Sequence, residues 1–337
     1  MKAIGYDAPK PVDDETCLVD LDLPEPTPRP RDLLVSIRAV SVNPVDVKQR
    51  SRIAPPAGQP RVLGFDAAGV VERVGTEVTL FRPGDEVFYA GQLDRPGTNA
   101  ELHVVDEQLV GRKPRSIDFT RAAALPLTSI TAWEMLFHRL GVPRDANARP
   151  GSLLVINGAG GVGSILVQIA RRLTGLTVVA TASRPETIAW CKDMGAHHVV
   201  DHRRPLHEVV REIGLGPVEY VAGLTATDRH LPSILELIAP QGRLALVDDP
   251  ASLDIVGFKQ KSVSVHWEFM FTRSMFRTED RIEQHRLLCE VADLVDAGVL
   301  RSTFTEDGGR ITAANLRRAH ATAESGRAIG KTVLTGF

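Results

Sequence analysis

The sequence predicts an α/β protein in which a β-rich, barrel-like part precedes a doubly wound parallel sheet. Two rhythms, and the stretch between them, carry this expectation. Before residue 106, short strands follow one another through turns containing proline and glycine, without βαβ repeats. After residue 150, strand-length apolar runs alternate with helix-length amphipathic ones, the rhythm of parallel strands joined by right-handed crossovers. The change falls at 152–164, SLLVINGAGGVGS. There an apolar run leads into Gly158, Gly160 and Gly163 at the spacing Gly-x-Gly-x-x-Gly, and then into a helix-forming run.

Taken in order, the first part places strands over 32–41 (DLLVSIRAVS), over 64–74 (GFDAAGVVERV, read as a glycine-punctuated strand pair) and over 86–89. The turn Pro83-Gly84-Asp85 feeds the last of these. The proline-rich stretch 24–30 is expected to be a stiff surface connection. Between 119 and 140 the period becomes helical, with Trp133, Leu136, Phe137 and Leu140 at three-to-four spacing, and this helix is expected to bridge two domains. Beyond the glycines come strands over 176–182, 198–201, 218–222, 243–247 and 263–266, with helices over 185–194, 206–213 and 231–238. A long amphipathic helix over 279–297, a helix over 313–323 and a strand over 331–334 break the rhythm, and this tail is expected to return to the first domain.

Composition bounds the function. A chain of 337 residues has room for two domains with sizeable cores. With 40 basic against 42 acidic residues and no block of five like charges, nothing favours nucleic acid as a partner. No run approaches eighteen apolar residues and the opening MKAIGYDAPKP lacks a signal-peptide core, so no membrane partner and a cytoplasmic location are expected. Cys17, Cys191 and Cys289 lie far apart, which argues against disulfides and against a cysteine-rich zinc site. His197, His198, His202 and His207 follow no ligand-bearing motif, and no metal is expected there.

The glycine turn points to a dinucleotide. A pyrophosphate can approach backbone N–H groups only where side chains are missing, and a helix N-terminus favours its negative charge. About twenty residues on, where NAD-binding versions of the fold carry an acid, this chain has Ala182-Ser183-Arg184. A hydroxyl and a guanidinium suit a 2′-phosphate, which favours NADPH. The plainer reading has Ser183 capping the next helix and Arg184 solvated, and Glu186 lies close by.

These segments together resemble the medium-chain dehydrogenase/reductase superfamily, and more narrowly its zeta-crystallin-like quinone oxidoreductases and zinc-type alcohol dehydrogenase-like proteins. The resemblance rests on SVNPVDVKQR (41–50), VLGFDAAGVVERV (62–74), PGDEV (83–87), LPLTSITAW (125–133), the glycine turn and GKTVL (330–334). It implies a GroES-like β-barrel domain for substrate over 1–126 and 268–337, a Rossmann domain for NADPH over 127–267, and an active site in the cleft between them. Zinc-dependent members carry a cysteine near Ser41 and Gly-His-Glu where this chain has Gly64-Phe65-Asp66. They also carry four cysteines around 89–100, where none occurs here. Phe65 cannot bind a metal, so zinc-independent chemistry is expected.

Reduction of a quinone or an α,β-unsaturated carbonyl compound suits a site without a Lewis acid, because charge on the carbonyl oxygen is delocalised as hydride arrives. The resemblance places Asn43 at the cleft as donor to that oxygen, with Asp46 and Lys48 beside it and Tyr89 as a proton donor. The plainer reading makes Asn43-Pro44 a helix start, Asp46 and Lys48 a solvated face, and Tyr89 a barrel residue. The resemblance also implies cofactor contacts from Thr128, Gly160, Gly161, Val162, Leu224, Thr225, Val247 and Lys331, and from His202, where quinone oxidoreductases often carry tyrosine. The aromatic and Met-rich stretch 267–276 would line the pocket, form a homodimer interface or simply be buried. A metal-dependent alcohol dehydrogenase and a non-catalytic NADPH-binding protein of crystallin-like or RNA-binding type stand as rival readings.

Overall fold

Short β-forming runs bounded by turns make strands along the first third of the chain. In a computed structural model, which describes residues 1–145 and 151–337, these are β1 (Lys2–Tyr6), β2 (Val19–Asp22), β3 (Asp32–Ser41), β4 (Arg61–Val62), β5 (Ala67–Val74), β6 (Glu86–Tyr89), β7 (Leu102–Asp106) and β8 (Val110–Arg112). Helix α1 (Pro44–Arg52) follows β3, and α2 (Phe119–Ala123) follows β8. Strand β3 is the hub, pairing antiparallel with both β5 and β7. The expected strand pair over 64–74 is one strand, β5, entered through a turn. Gly64 sits at φ +113°, and a Cβ there would lie 2.5 Å from Thr98 Oγ1, so this glycine serves the crossing of another segment.

The single helix expected over 119–140 is three pieces: α2, α3 (Pro126–Trp133) and a π-helical turn, Glu134–Arg139. Pro126 disfavours helical geometry at Leu125, which breaks the run. Two compact units divide within α3, one comprising Met1–Ile130 with Phe271–Phe337 and the other Thr131–Met270.

The second unit alternates β9 (Ser152–Ile156), α4 (Gly161–Leu173), β10 (Thr177–Thr181), α5 (Pro185–Asp193), β11 (His198–Val200), α6 (Leu206–Glu212), β12 (Val218–Gly223), α7 (Thr227–Leu237), β13 (Ile238–Leu246) and β14 (Ser264–Trp267). All six strands are parallel, in the order β11-β10-β9-β12-β13-β14. The order reverses beside β9, so the crevice at the carboxyl ends of β9 and β12 is the natural ligand site of this unit. Its core joins Leu154, Val179, Val221 and Leu244 from the sheet to Leu206, Val210 and Ile234 from the helices.

Helix α7 starts four residues before the expected 231 and carries Pro232 inside it. A tertiary contact sets that start: Asp248, just past β13, accepts from Thr227 N and Oγ1, both at 2.8 Å.

The tail adds α8 (Thr272–Phe276), α9 (Glu283–Asp296), β15 (Phe304–Asp307), α10 (Ala313–Glu324) and β16 (Lys331–Thr335) to the first unit. The expected return is made by β16, antiparallel to β3 with Val333 opposite Ser41. No helix among the described residues is long and apolar enough to cross a membrane.

Candidate active site

The β16–β3 register brings Lys331 alongside Asn43, and the first unit builds a buried polar cluster at that point. Asn43 precedes α1, and its backbone N–H donates to Asp46 Oδ2 at 2.8 Å, while Asp46 Oδ1 accepts from Gly64 N at 3.0 Å. Asp46 is thus a buried staple between a helix start and the 63–66 turn. Burial raises its carboxyl to about 7 against the pull of these N–H groups and of Lys331.

Asp66 is the centre of the cluster. Its Oδ2 accepts from Ser41 Oγ and Asn43 Nδ2, both at 2.7 Å, and from Lys331 Nζ at 3.2 Å; its Oδ1 accepts from Leu127 N at 2.8 Å. Lys331 donates also to Val42 O at 2.8 Å and to Asn43 Oδ1. Burial lowers the Lys331 pKa, and the Asp66 charge opposes that fall. A buried carboxylate and ammonium are each met by several partners, as burial of charge requires. Sequence reasoning overlooked Asp66 as a working residue, although an acid inside the apolar run VLGFDAAGV is itself a sign of a buried partner.

This donor set does not fit a zinc ion. Phe65 packs edge-on against Phe271, with ring centroids 5.4 Å apart, and Asp66 already holds a cation of the chain's own. Among the described residues, no group of three or more His, Cys, Asp and Glu side chains is placed to hold a metal.

Lys48 lies half-buried on α1, two residues after Asp46. Tyr89 is committed elsewhere. Its buried OH lies 3.0 Å from His103 Nδ1, and His103 Nε2 lies 3.0 Å from Pro96 O. Because Pro96 O can only accept, Nε2 carries the hydrogen and Tyr89 donates to Nδ1; burial lowers His103 to about 4, so the ring is neutral. Thr128, on α3, donates to Leu125 O at 3.1 Å and keeps its acceptor lone pairs.

In the second unit the three glycines are there for different reasons. A Cβ on Gly158 would lie 2.7 Å from Ala180 Cβ, and one on Gly163 would lie 2.4 Å from Asn157 O. Packing demands both. Gly160 has ordinary dihedrals (φ −70°, ψ 175°), and a Cβ there would meet nothing closer than the flexible end of Asn157 at 3.0 Å. Neither strain nor packing explains this glycine, whereas clearance for a ligand over the first turn of α4, at Gly161, Val162 and Gly163, does. The turn therefore fits a pyrophosphate.

Around it, Asn157 takes φ +67°, and its N–H donates to Thr181 Oγ1 at 2.9 Å. Thr181 Oγ1 lies 3.2 Å from His202 Nδ1. Arg184, not Ser183, stands at the N-cap position of α5, where its backbone N–H donates to Thr187 Oγ1 at 3.1 Å, and its guanidinium lies 3.4 Å from Glu186. Leu224, Thr225 and Val247 follow the ends of β12 and β13.

Comparison with known proteins agrees with both halves. Residues 29–115 match the model of the alcohol dehydrogenase GroES-like domain, and residues 161–284 that of the zinc-binding dehydrogenase domain. A zinc-type alcohol dehydrogenase-like protein of Staphylococcus aureus is 42% identical over 99% of both chains. The chain belongs to the medium-chain dehydrogenase/reductase superfamily, with a GroES-like domain and a Rossmann-like domain, and is an oxidoreductase of a family that binds a nicotinamide cofactor. Among solved structures, a Rhizobium etli protein provisionally described as a zinc-dependent alcohol dehydrogenase superimposes with a TM-score of 0.96 at 57% identity, covering 100% of this chain and 98% of that one. A quinone oxidoreductase of Pseudomonas syringae gives a TM-score of 0.83 at 28% identity, with 99% of each chain covered.

Proposed function

We propose that the chain is a zinc-independent reductase that transfers hydride from NADPH to a quinone or an α,β-unsaturated carbonyl compound. The Asp66 carboxylate carries this reading, because a buried ammonium and three further donors already satisfy it. The likeness to a quinone oxidoreductase supports the substrate class, and Ser183 and Arg184 at the end of β10 support NADPH. When bound, the nicotinamide supplies hydride from its C4.

The chain's own residues supply the rest. Asn43 gives one Nδ2 hydrogen to Asp66, and the second is the proposed donor to the substrate oxygen on which charge develops. Lys331 polarises that amide from its oxygen side, so its role runs through Asn43 and Asp66. Asp46, raised to about 7, holds a proton in the working range, and Lys48 lies on the same helix as the proposed link to solvent. Tyr89, its proton committed to His103, is reassigned from proton donor to structural support. Thr128, Gly158, Gly160, Gly161, Val162, Gly163, Ser183, Arg184, His202, Leu224, Thr225 and Val247 are the proposed cofactor contacts. The proposed domains are 1–126 with 268–337 for substrate and 127–267 for NADPH.

A cytoplasmic homodimer is part of the proposal. Exposure of Trp267 (57%) and Phe276 (73%) supports an interface on the 267–276 stretch.

Turnover measured as loss of NADPH absorbance against quinones and enones, after exhaustive chelation and with NADH in parallel, tests this. Activity that survives chelation and prefers NADPH is expected. Activity lost on chelation and restored by zinc, or NADPH binding without turnover on any acceptor, overturns it.

A further inference from the structure

His202, proposed above as a cofactor contact, stands beside a second histidine, His230, at the carboxyl edge of the parallel sheet. The Thr181 hydroxyl accepts the Asn157 N–H of the glycine turn at 2.9 Å. Its oxygen also lies 3.2 Å from His202 Nδ1, which leaves Nε2 as the ring nitrogen not engaged by Thr181. His202 follows β11, and its ring centroid lies 6.4 Å from that of His230 on α7, with the planes tilted by 57°. Both rings are half-buried, and burial is the largest cause lowering the pKa of each, so each is neutral at neutral pH.

The charged groups around the pair are largely spent on one another. Asp201 beside His202 binds Arg203 Nε through both carboxylate oxygens at 3.0 Å. Asp248, which faces His230, takes both Thr227 donors. Asp228 and Arg229 precede His230 on α7 and oppose each other in their effect on it. At the neighbouring strand end, Arg184 shares its charge with Glu186. A doubly charged phosphate arriving here finds one partly neutralised guanidinium and two imidazoles able to take up a proton.

We infer that His202, backed by His230, receives the 2′-phosphate of NADPH and takes up a proton as that phosphate docks, so that NADPH binding is proton-linked and NADH binding is not. This rests on the reading of the cofactor as NADPH. A phosphate dianion stabilises imidazolium, so the His202 pKa in the complex lies above its value in the free protein. Affinity for NADPH then rises as pH falls through the value in the complex, by up to about tenfold per pH unit for one proton. The phosphate's own ionisation near pH ~6 reverses the trend below that point.

The test is a fluorescence titration of the full chain with NADPH and NADH between pH about 6.5 and about 8, for wild type and His202→Gln. Glutamine keeps an acceptor for Thr181 and a donor, but cannot be protonated. Wild type is expected to tighten NADPH fivefold to tenfold per unit (about one proton) with NADH flat, and the variant to lose that slope. In parallel, NMR titration of the wild-type imidazoles is expected to show the His202 pKa rising on addition of 2′-AMP and not of 5′-AMP. A slope that persists in the variant, a flat wild-type profile, or no response of His202 to 2′-AMP overturns the inference and leaves NADPH use standing. Failure to prefer NADPH at any pH overturns both.

Discussion

The two units treat buried polarity in opposite ways. In the first, the Asp66 and Lys331 charges are closed off by one another and by Ser41, Val42, Asn43 and Leu127. In the second, the first-turn amides of α4 and the clearance at Gly160 stay open, and an acid is held in excess. Glu134 and Glu268 are both buried, with the Arg139 guanidinium 2.9 Å from Glu268 and 3.7 Å from Glu134. Burial and the Glu134 charge push Glu268 up to about 9. A closed site is rigid and specific to its own side chains. An open one keeps its binding capacity for a ligand.

The sharpest way to break this contrast is to remove one charge from the closed cluster. Lys331→Met leaves Asp66 buried without its cation and is expected to cost about 3–5 kcal/mol in denaturant unfolding, much of it recovered in the Lys331→Met/Asp66→Asn double variant. A cost that does not fall in the double variant would show that the ammonium contributes by packing alone.

Next comes the excess acid. An acid with a raised folded pKa supports the fold fully below its unfolded value of 4.5, and that support is lost as pH rises towards about 9. Glu268→Gln is therefore expected to raise stability at pH ~8 by about 1–3 kcal/mol and to flatten thermal stability between pH ~5 and ~8. An unchanged pH profile would place the titrating group elsewhere.

The glycines give the smallest and most discriminating pair. Gly163→Ala, with its Cβ 2.4 Å from a backbone oxygen, is expected to cost about 1–3 kcal/mol. Gly160→Ala is expected to leave unfolding within about 0.5 kcal/mol while NADPH affinity, read by fluorescence, drops about tenfold or more. If both variants lose stability alike, the clearance at Gly160 belongs to the fold and not to a ligand.

Much of the fold was legible because it is written in local periods. The 32–41 and 86–89 strands, the glycine turn and the helix beginning at 313 fall where the pattern places them. What was misread depended on distant partners. Gly64 looked like punctuation within a strand, but it clears a path for Thr98 and Asn99. Helix α7 begins early because Asp248 captures Thr227. Tyr89 reads in the sequence as a proton donor or a barrel residue, and only the fold sets His103 against its OH; Asp66 enters the sequence reading only as the neighbour of Phe65.

The order of strands and helices, the nucleotide turn and the loss of a histidine ligand at Phe65 were set by the sequence alone, because each depends on residue type and on neighbours a few positions away. The partner of Asp66 was decided by tertiary structure: Lys331 lies 265 residues along the chain and reaches it only through the β16–β3 register. Burial made that pairing necessary, since a lone carboxylate in an apolar interior would have to find a counter-charge or take up a proton.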